Sequence, residues 1–156
     1  MRKTPLPQSG SERRSSLDAW LDIEDLAAVE ISSEDPAYPF ENALRGDAGD
    51  GWRAAGPGPQ TIRIRFDKPT SVRRIRLEFR DASDERSQEF RLSAVTFSGD
   101  SHEIARQQWN FSPQGSNAEV EDYRVSLQDV EIVQLEIDPG RHDGLAVATL
   151  QSIAIA

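Results

Sequence analysis

Two runs of this chain alternate apolar and charged residues with a period of two. In TIRIRF (61–66), Ile62, Ile64 and Phe66 fall on one face and Arg63 and Arg65 on the other. In VRRIRLEF (72–79), Ile75, Leu77 and Phe79 oppose Arg74, Arg76 and Glu78. A helix would scatter such a pattern around its circumference, whereas a strand with one wet face needs it. The chain must therefore build sheets that bury one face each.

The remaining segments extend this reading. Val29 and Ile31 flank Glu30 in a strand expected over 27–33. QEFRLSAVTFS (88–98) places Phe90 and Leu92, then Val95 and Phe97, inward, and the change of parity near Ala94 predicts a bulge. Strands are also expected over 103–111, 120–127, 130–137 and the apolar end 145–156. DKPTS (67–71), SGDSH (98–102) and PGRHDG (139–144) read as turns, and 81–87 and 112–119 as polar loops. Leu17, Trp20 and Leu21 have helical spacing, so a short helical turn or an irregular entry segment should lay Trp20 on the domain. Residues 34–60 hold no sustained period and read as a long loop of functional type. About eight strands, with no long amphipathic helix, predict an all-β, jelly-roll β-sandwich of mainly antiparallel strands.

Composition sets outer limits. In 156 residues, 37% hydrophobic side chains suffice for one core, so 17–156 is expected to form a single β-sandwich binding domain. Residues 1–16, rich in Pro, Ser and Arg, read as a disordered basic tail. That segment has no apolar stretch of the kind a secretory signal carries, and no run of 18 apolar residues occurs. A cytoplasmic location is the default expectation. The absence of cysteine excludes disulfides, thiolate metal sites and cysteine nucleophiles. The formal net charge of −9 disfavours nucleic acid as a partner. Charge is uneven: 17–59 holds ten acidic and two basic residues, 60–80 two acidic and seven basic. If 61–66 paired with 72–79, Arg65 would meet Arg74 and Arg63 would meet Arg76, at a cost in stability. That stripe predicts carboxylates nearby, from a neighbouring strand or from a partner.

Ser32-Ser33, Asn42-Ala43, Gly46-Asp47 and Trp52, followed by the strands 62–66 and 72–79, resemble the galactose-binding-domain-like superfamily, the discoidin and coagulation-factor C-type jelly roll. Ala146 to Ile155 is similar to that family's last strand. The resemblance implies a non-catalytic ligand-binding module. One branch holds carbohydrate-binding modules, which receive sugars in loops at one end of the sandwich. The other is the N-terminal domain of the X-ray-repair scaffold protein, an interaction module that Glu41-Asn42 and Trp52-Arg53-Ala54-Ala55 resemble.

Carbohydrate binding is the leading expectation, and a cytoplasmic protein-interaction module the alternative. The expected ligand-binding residues are Tyr38, Arg53, Trp109, Asn110, Arg141 and His142. Aromatic planes suit the apolar face of a pyranose, and arginine and amide groups suit its hydroxyls. Trp52 is expected in the core. The resemblance also implies a structural calcium, with Asn42, Asp47 and Asp50 as candidate ligands. Calcium takes six to eight oxygens, yet Arg45 stands where relatives carry Asp. A plain Asx-turn loop, with Arg45 in the ion's place, is the competing expectation. No catalytic motif is present: the two histidines lie 40 residues apart, and no nucleophile elbow or H-E-x-x-H occurs. The chain is therefore not expected to be an enzyme.

Overall fold

The computed structural model describes residues 20–45, 51–80, 86–111, 118–140 and 146–156, except for the side chains of 86, 87 and 109–111. The expected basic tail lies outside these residues. Eight strands are present: β1 (Ala27–Ile31), β2 (Trp52–Pro57), β3 (Gln60–Arg80), β4 (Arg86–Thr96), β5 (Ser101–Phe111), β6 (Ala118–Asp138), β7 (Val147–Leu150) and β8 (Ser152–Ile155). Among the described residues two short helices join them, α1 (Ile23–Leu26) and α2 (Glu41–Arg45). The jelly-roll sandwich expected from the alternation is the observed architecture.

Its strands are divided differently. The two alternating runs are halves of one strand, β3, and DKPTS is a bend within it rather than a turn. Both halves pair antiparallel with β6, which spans the two strands expected at 120–127 and 130–137. The β3–β6 register shifts between Arg65 and Arg74, and Asp129 adopts φ 57° opposite the bend. There the ladder turns the corner of the sandwich, as strands that switch sheets do. Conversely, the closing segment divides at Gln151, whose N–H donates to the Glu78 carbonyl at 2.8 Å. On one side β7 pairs with β2, and on the other β8 pairs with β3. The first half of β3 lies between β1 and β6, and the path continues to β4 and β5.

The bulge lies in β5 rather than β4. Leu92 faces Ala105 while Ser93 faces Glu103, so Ile104 is the extra residue. β4 keeps one parity, burying Phe90, Leu92, Ala94 and Thr96 and leaving Phe97 exposed. Ile62, Ile64 and Phe66 from one half of β3 and Ile75, Leu77 and Phe79 from the other are all buried, with Leu135 and Ile137 from β6. Phe79 stacks on Phe90 at 5.3 Å, and Tyr123 meets Phe90 edge-on.

The arginines never oppose one another as the hairpin reading required. Arg65 faces Ile132 and pairs with Glu131 and Glu30; Arg63 faces Gln134 and donates to its amide oxygen at 2.7 Å. Intramolecular carboxylates neutralise much of the stripe. Among the described residues of the entry segment helix forms over α1, and before it the Leu21 N–H donates to the Ile155 carbonyl at 2.7 Å. Trp20 lies against the domain beneath the Arg74 guanidinium, 4.7 Å from its carbon.

Candidate functional site

The register brings several strand ends to one end of the sandwich. β1 finishes there opposite Ile62, β3 begins opposite Ile137, and Glu89 of β4 faces Asp138. Arg86 faces Phe111; Arg80 faces Ala118 at the other end of the β3–β6 ladder, which the bend folds back so that Phe79 stacks on Phe90 opposite Ile137. The strand ends flanking 32–51, 81–85, 112–117 and 139–146 therefore share this end.

The β2–β7 ribbon forms one wall. Trp52 and Ala54 point inward and are buried. The Trp52 indole donates to the Ser33 carbonyl at 3.2 Å, which fixes it as a core residue, as expected. Arg53, between them, points outward. Asp35 and Pro36 start a turn beside it: the Asp35 carboxylate accepts from the Ala37 N–H at 2.9 Å, and its carbonyl from the Tyr38 N–H at 2.8 Å. The Asp35 N–H donates to the Arg53 carbonyl at 2.9 Å, and the Arg53 N–H to the Tyr38 carbonyl at 3.3 Å. These bonds lay the turn against β2 and bring the Arg53 guanidinium 4.8 Å from the centre of the Tyr38 ring. Such a contact is worth about 0.5–1 kcal/mol where partly exposed.

Directly across the ribbon, Thr149 faces Arg53. It is 9% exposed, and its hydroxyl has no hydrogen-bond partner, nor does the Arg53 Nε–H. A buried polar group left unpaired costs about 1–3 kcal/mol. Thr149 is a residue of this wall that sequence reasoning missed; its one signal was a lone hydroxyl within the apolar run LAVATL.

The other expected residues are less gathered. Trp109 and Asn110 lie at the rim end of β5, opposite Gln88 and Ser87, with side chains outside the description. Arg141, His142, Asp47 and Asp50 lie outside the described residues. Asn42, in α2, donates its amide to the Gly51 carbonyl at 3.3 Å. Gly51 has φ 69°, and a Cβ there would meet the Leu150 carbonyl oxygen at 2.5 Å. Arg45 binds Glu24 at 3.0 Å and so neutralises a carboxylate of α1. Among the described residues no group of three His, Cys, Asp or Glu side chains could hold a metal ion.

A groove of about 250 Å³ opens at the same end between the starts of β3 and β4 and the end of β6. Its Arg91 already bridges Glu103 at 3.0 Å and Glu136 at 3.4 Å. Nearby, Glu119 and Glu121 share the inward face of β6 with Tyr123. The Tyr123 hydroxyl donates to Glu121 at 3.0 Å and accepts from the Gln107 amide at 2.8 Å. Hydrogen bonding to Glu121, together with burial, raises the Glu119 carboxyl from 4.5 to about 7.

The F5/8 type C domain family model matches residues 28–100. Anaphase-promoting complex subunit 10 of Schizosaccharomyces pombe is 26% identical over 147 residues, covering 92% of this chain and 78% of that protein. Among solved structures, the CBM32 of AlyQ in complex with 4,5-unsaturated mannuronic acid superposes with a TM-score of 0.58 at 19% identity, over 85% of this chain and 95% of that one. CBM32-3 from a family 31 glycoside hydrolase of Clostridium perfringens gives 0.59 at 16% identity, over 96% and 98%. These likenesses agree with the resemblance read from the Ser-Ser, Asn-Ala and Trp pattern.

Proposed function

We propose, from the premise that the chain is a galactose-binding-domain-like sandwich similar to the F5/8 type C family, that it is a non-catalytic module binding carbohydrate at the loop end. The observation that carries this reading is the Tyr38–Arg53 pair beside Thr149. A ring held by a turn offers a plane for the apolar face of a pyranose. The adjoining guanidinium suits the ring's oxygens. Trp109, Asn110, Arg141 and His142 would extend the same rim. Contact would be shallow, so affinities on the order of micromolar to millimolar are expected. The two CBM32 structures it is similar to, one of them in complex with 4,5-unsaturated mannuronic acid, support the reading. Isothermal titration with neutral and acidic monosaccharides tests it: saturable heat that disappears in Arg53→Met supports it, and no heat at millimolar sugar removes it.

A second reading, docking to a protein partner, is favoured by the relative that is a subunit of a complex. The arginine stripe adds little to it, because Arg65 and Arg74 are held by carboxylates of this chain. A purified protein partner that binds with defined stoichiometry and is lost on replacing Tyr38 and Arg53, with no sugar bound, would favour this reading over the first.

A further inference from the structure

Among the described residues β1 is an edge strand of its sheet. Its inward residues Ala27, Val29 and Ile31 face Phe66, Ile64 and Ile62 of β3. The β3 residues are fully buried while those of β1 are only partly so, because the sandwich is open along this edge. A groove of about 360 Å³ lies there, floored by Val29 and Ile31 and walled by Phe40 and Leu44.

The outer edge of β1 offers backbone groups as well. The Ser32 N–H donates to the Thr61 carbonyl at 3.0 Å, so alternation in the ladder turns the amides and carbonyls of Glu30 and Ala28 toward β3. Those of Val29 and Ile31 point away from it. A strand laid outside β1 would bond to them and drop every second side chain into the groove. This is the geometry of strand addition.

Charge selects what kind of strand fits. Glu24, Glu34 and Glu41 rim the groove. Glu24 is engaged by Arg45 and Glu34 by the Phe40 N–H, whereas the Glu41 carboxylate is exposed and, among the described residues, is in no hydrogen bond or ion pair, with Arg45 acting on it only at longer range. The rim sits within residues 17–59, which carry ten acidic side chains against two basic ones. A second copy adding its own β1 would bring like charge against like. We infer that the β1 edge is a docking site for an extended basic peptide segment of a partner protein, with alternating apolar and Lys or Arg side chains. The apolar residues enter between Val29, Ile31, Phe40 and Leu44, and the cations face the carboxylate rim.

Fluorescence anisotropy of the full chain with a labelled hexapeptide alternating lysine or arginine with valine tests the inference. Saturable binding is expected, weakening at least about tenfold on raising salt from about 50 to about 500 mM. Glu41→Lys should weaken it similarly. Val29→Pro removes the outward N–H without touching the β3 ladder, a substitution that edge strands tolerate, and should abolish binding. Hydrogen exchange on the unaltered protein keeps the test independent of that variant's folding: the Val29 and Ile31 amides should gain protection when peptide is added. Equal binding of a lysine–serine peptide or a glutamate–valine peptide overturns the inference. So does unchanged exchange at Val29 and Ile31, or a concentration-dependent dimer that excludes the peptide.

Discussion

Arg74 reaches diagonally across the β3–β6 ladder to Asp122, donating from Nε at 2.9 Å and Nη2 at 2.6 Å, although its direct cross-strand partner is Arg124. The same guanidinium covers the Trp20 ring. The two arginines are thus tolerated face to face because one is held by a carboxylate two residues along. Arg74→Ala should therefore cost about 1–2 kcal/mol, and Arg124→Ala should be neutral or mildly stabilising. Urea midpoints of the two variants check this. The Arg74 bond also holds the Asp122 carboxyl below its ordinary 3.8. A lowered folded-state value stabilises above the unfolded value, and the contribution is lost as pH falls through the folded one. Asp122→Asn should thus lose least, relative to the parent, in acid.

The sequence made the inward faces of β3 legible because period-two burial leaves no other arrangement for Ile62, Ile64, Phe66, Leu77 and Phe79. It did not reveal that 67–71 is a bend. Lys68, Pro69, Thr70 and Ser71 punctuate a corner and a hairpin alike, and only the matching bend of β6 near Asp129 distinguishes them. β2 escaped notice because Ala54, Ala55, Gly56 and Pro57 carry little strand propensity; long-range pairing with β7 defines it. At the candidate site, Tyr38 and Arg53 were legible as loop residues of the right chemistry. Their contact was not, since it depends on the Asp35 turn folding back onto β2.

Glu119 carries the clearest pH signature. Its carboxyl is raised to about 7 by the hydrogen bond to Glu121 and by burial, so the folded state holds a proton that the unfolded chain releases near 4.5. Stability from this pair is fully present below about 4.5 and is lost as pH rises toward 7. Glu119→Gln should flatten the dependence and raise the urea midpoint at pH 8 relative to the parent. A variant whose curve parallels the parent's from pH 5 to 8 would contradict the assignment.

Gln88 is fully buried, and neither end of its amide has a partner. Removing an unpaired buried amide in favour of an apolar side chain of similar size should be neutral or stabilising by about 1 kcal/mol. Gln88→Leu should accordingly match or exceed the parent's melting temperature. A fall of several degrees would mean that the amide is satisfied in solution.

The most direct test of recognition at the loop end is a titration of the isotope-labelled chain with galactose, glucose and galacturonic acid, followed by nitrogen–proton correlation spectra. At least one sugar should shift the Tyr38, Arg53 and Thr149 amides together with the Arg53 Nε–H, saturating at micromolar to millimolar concentration. Spectra unmoved at tens of millimolar by every sugar, or shifts confined to residues away from β2, β7 and the Asp35 turn, would contradict the account.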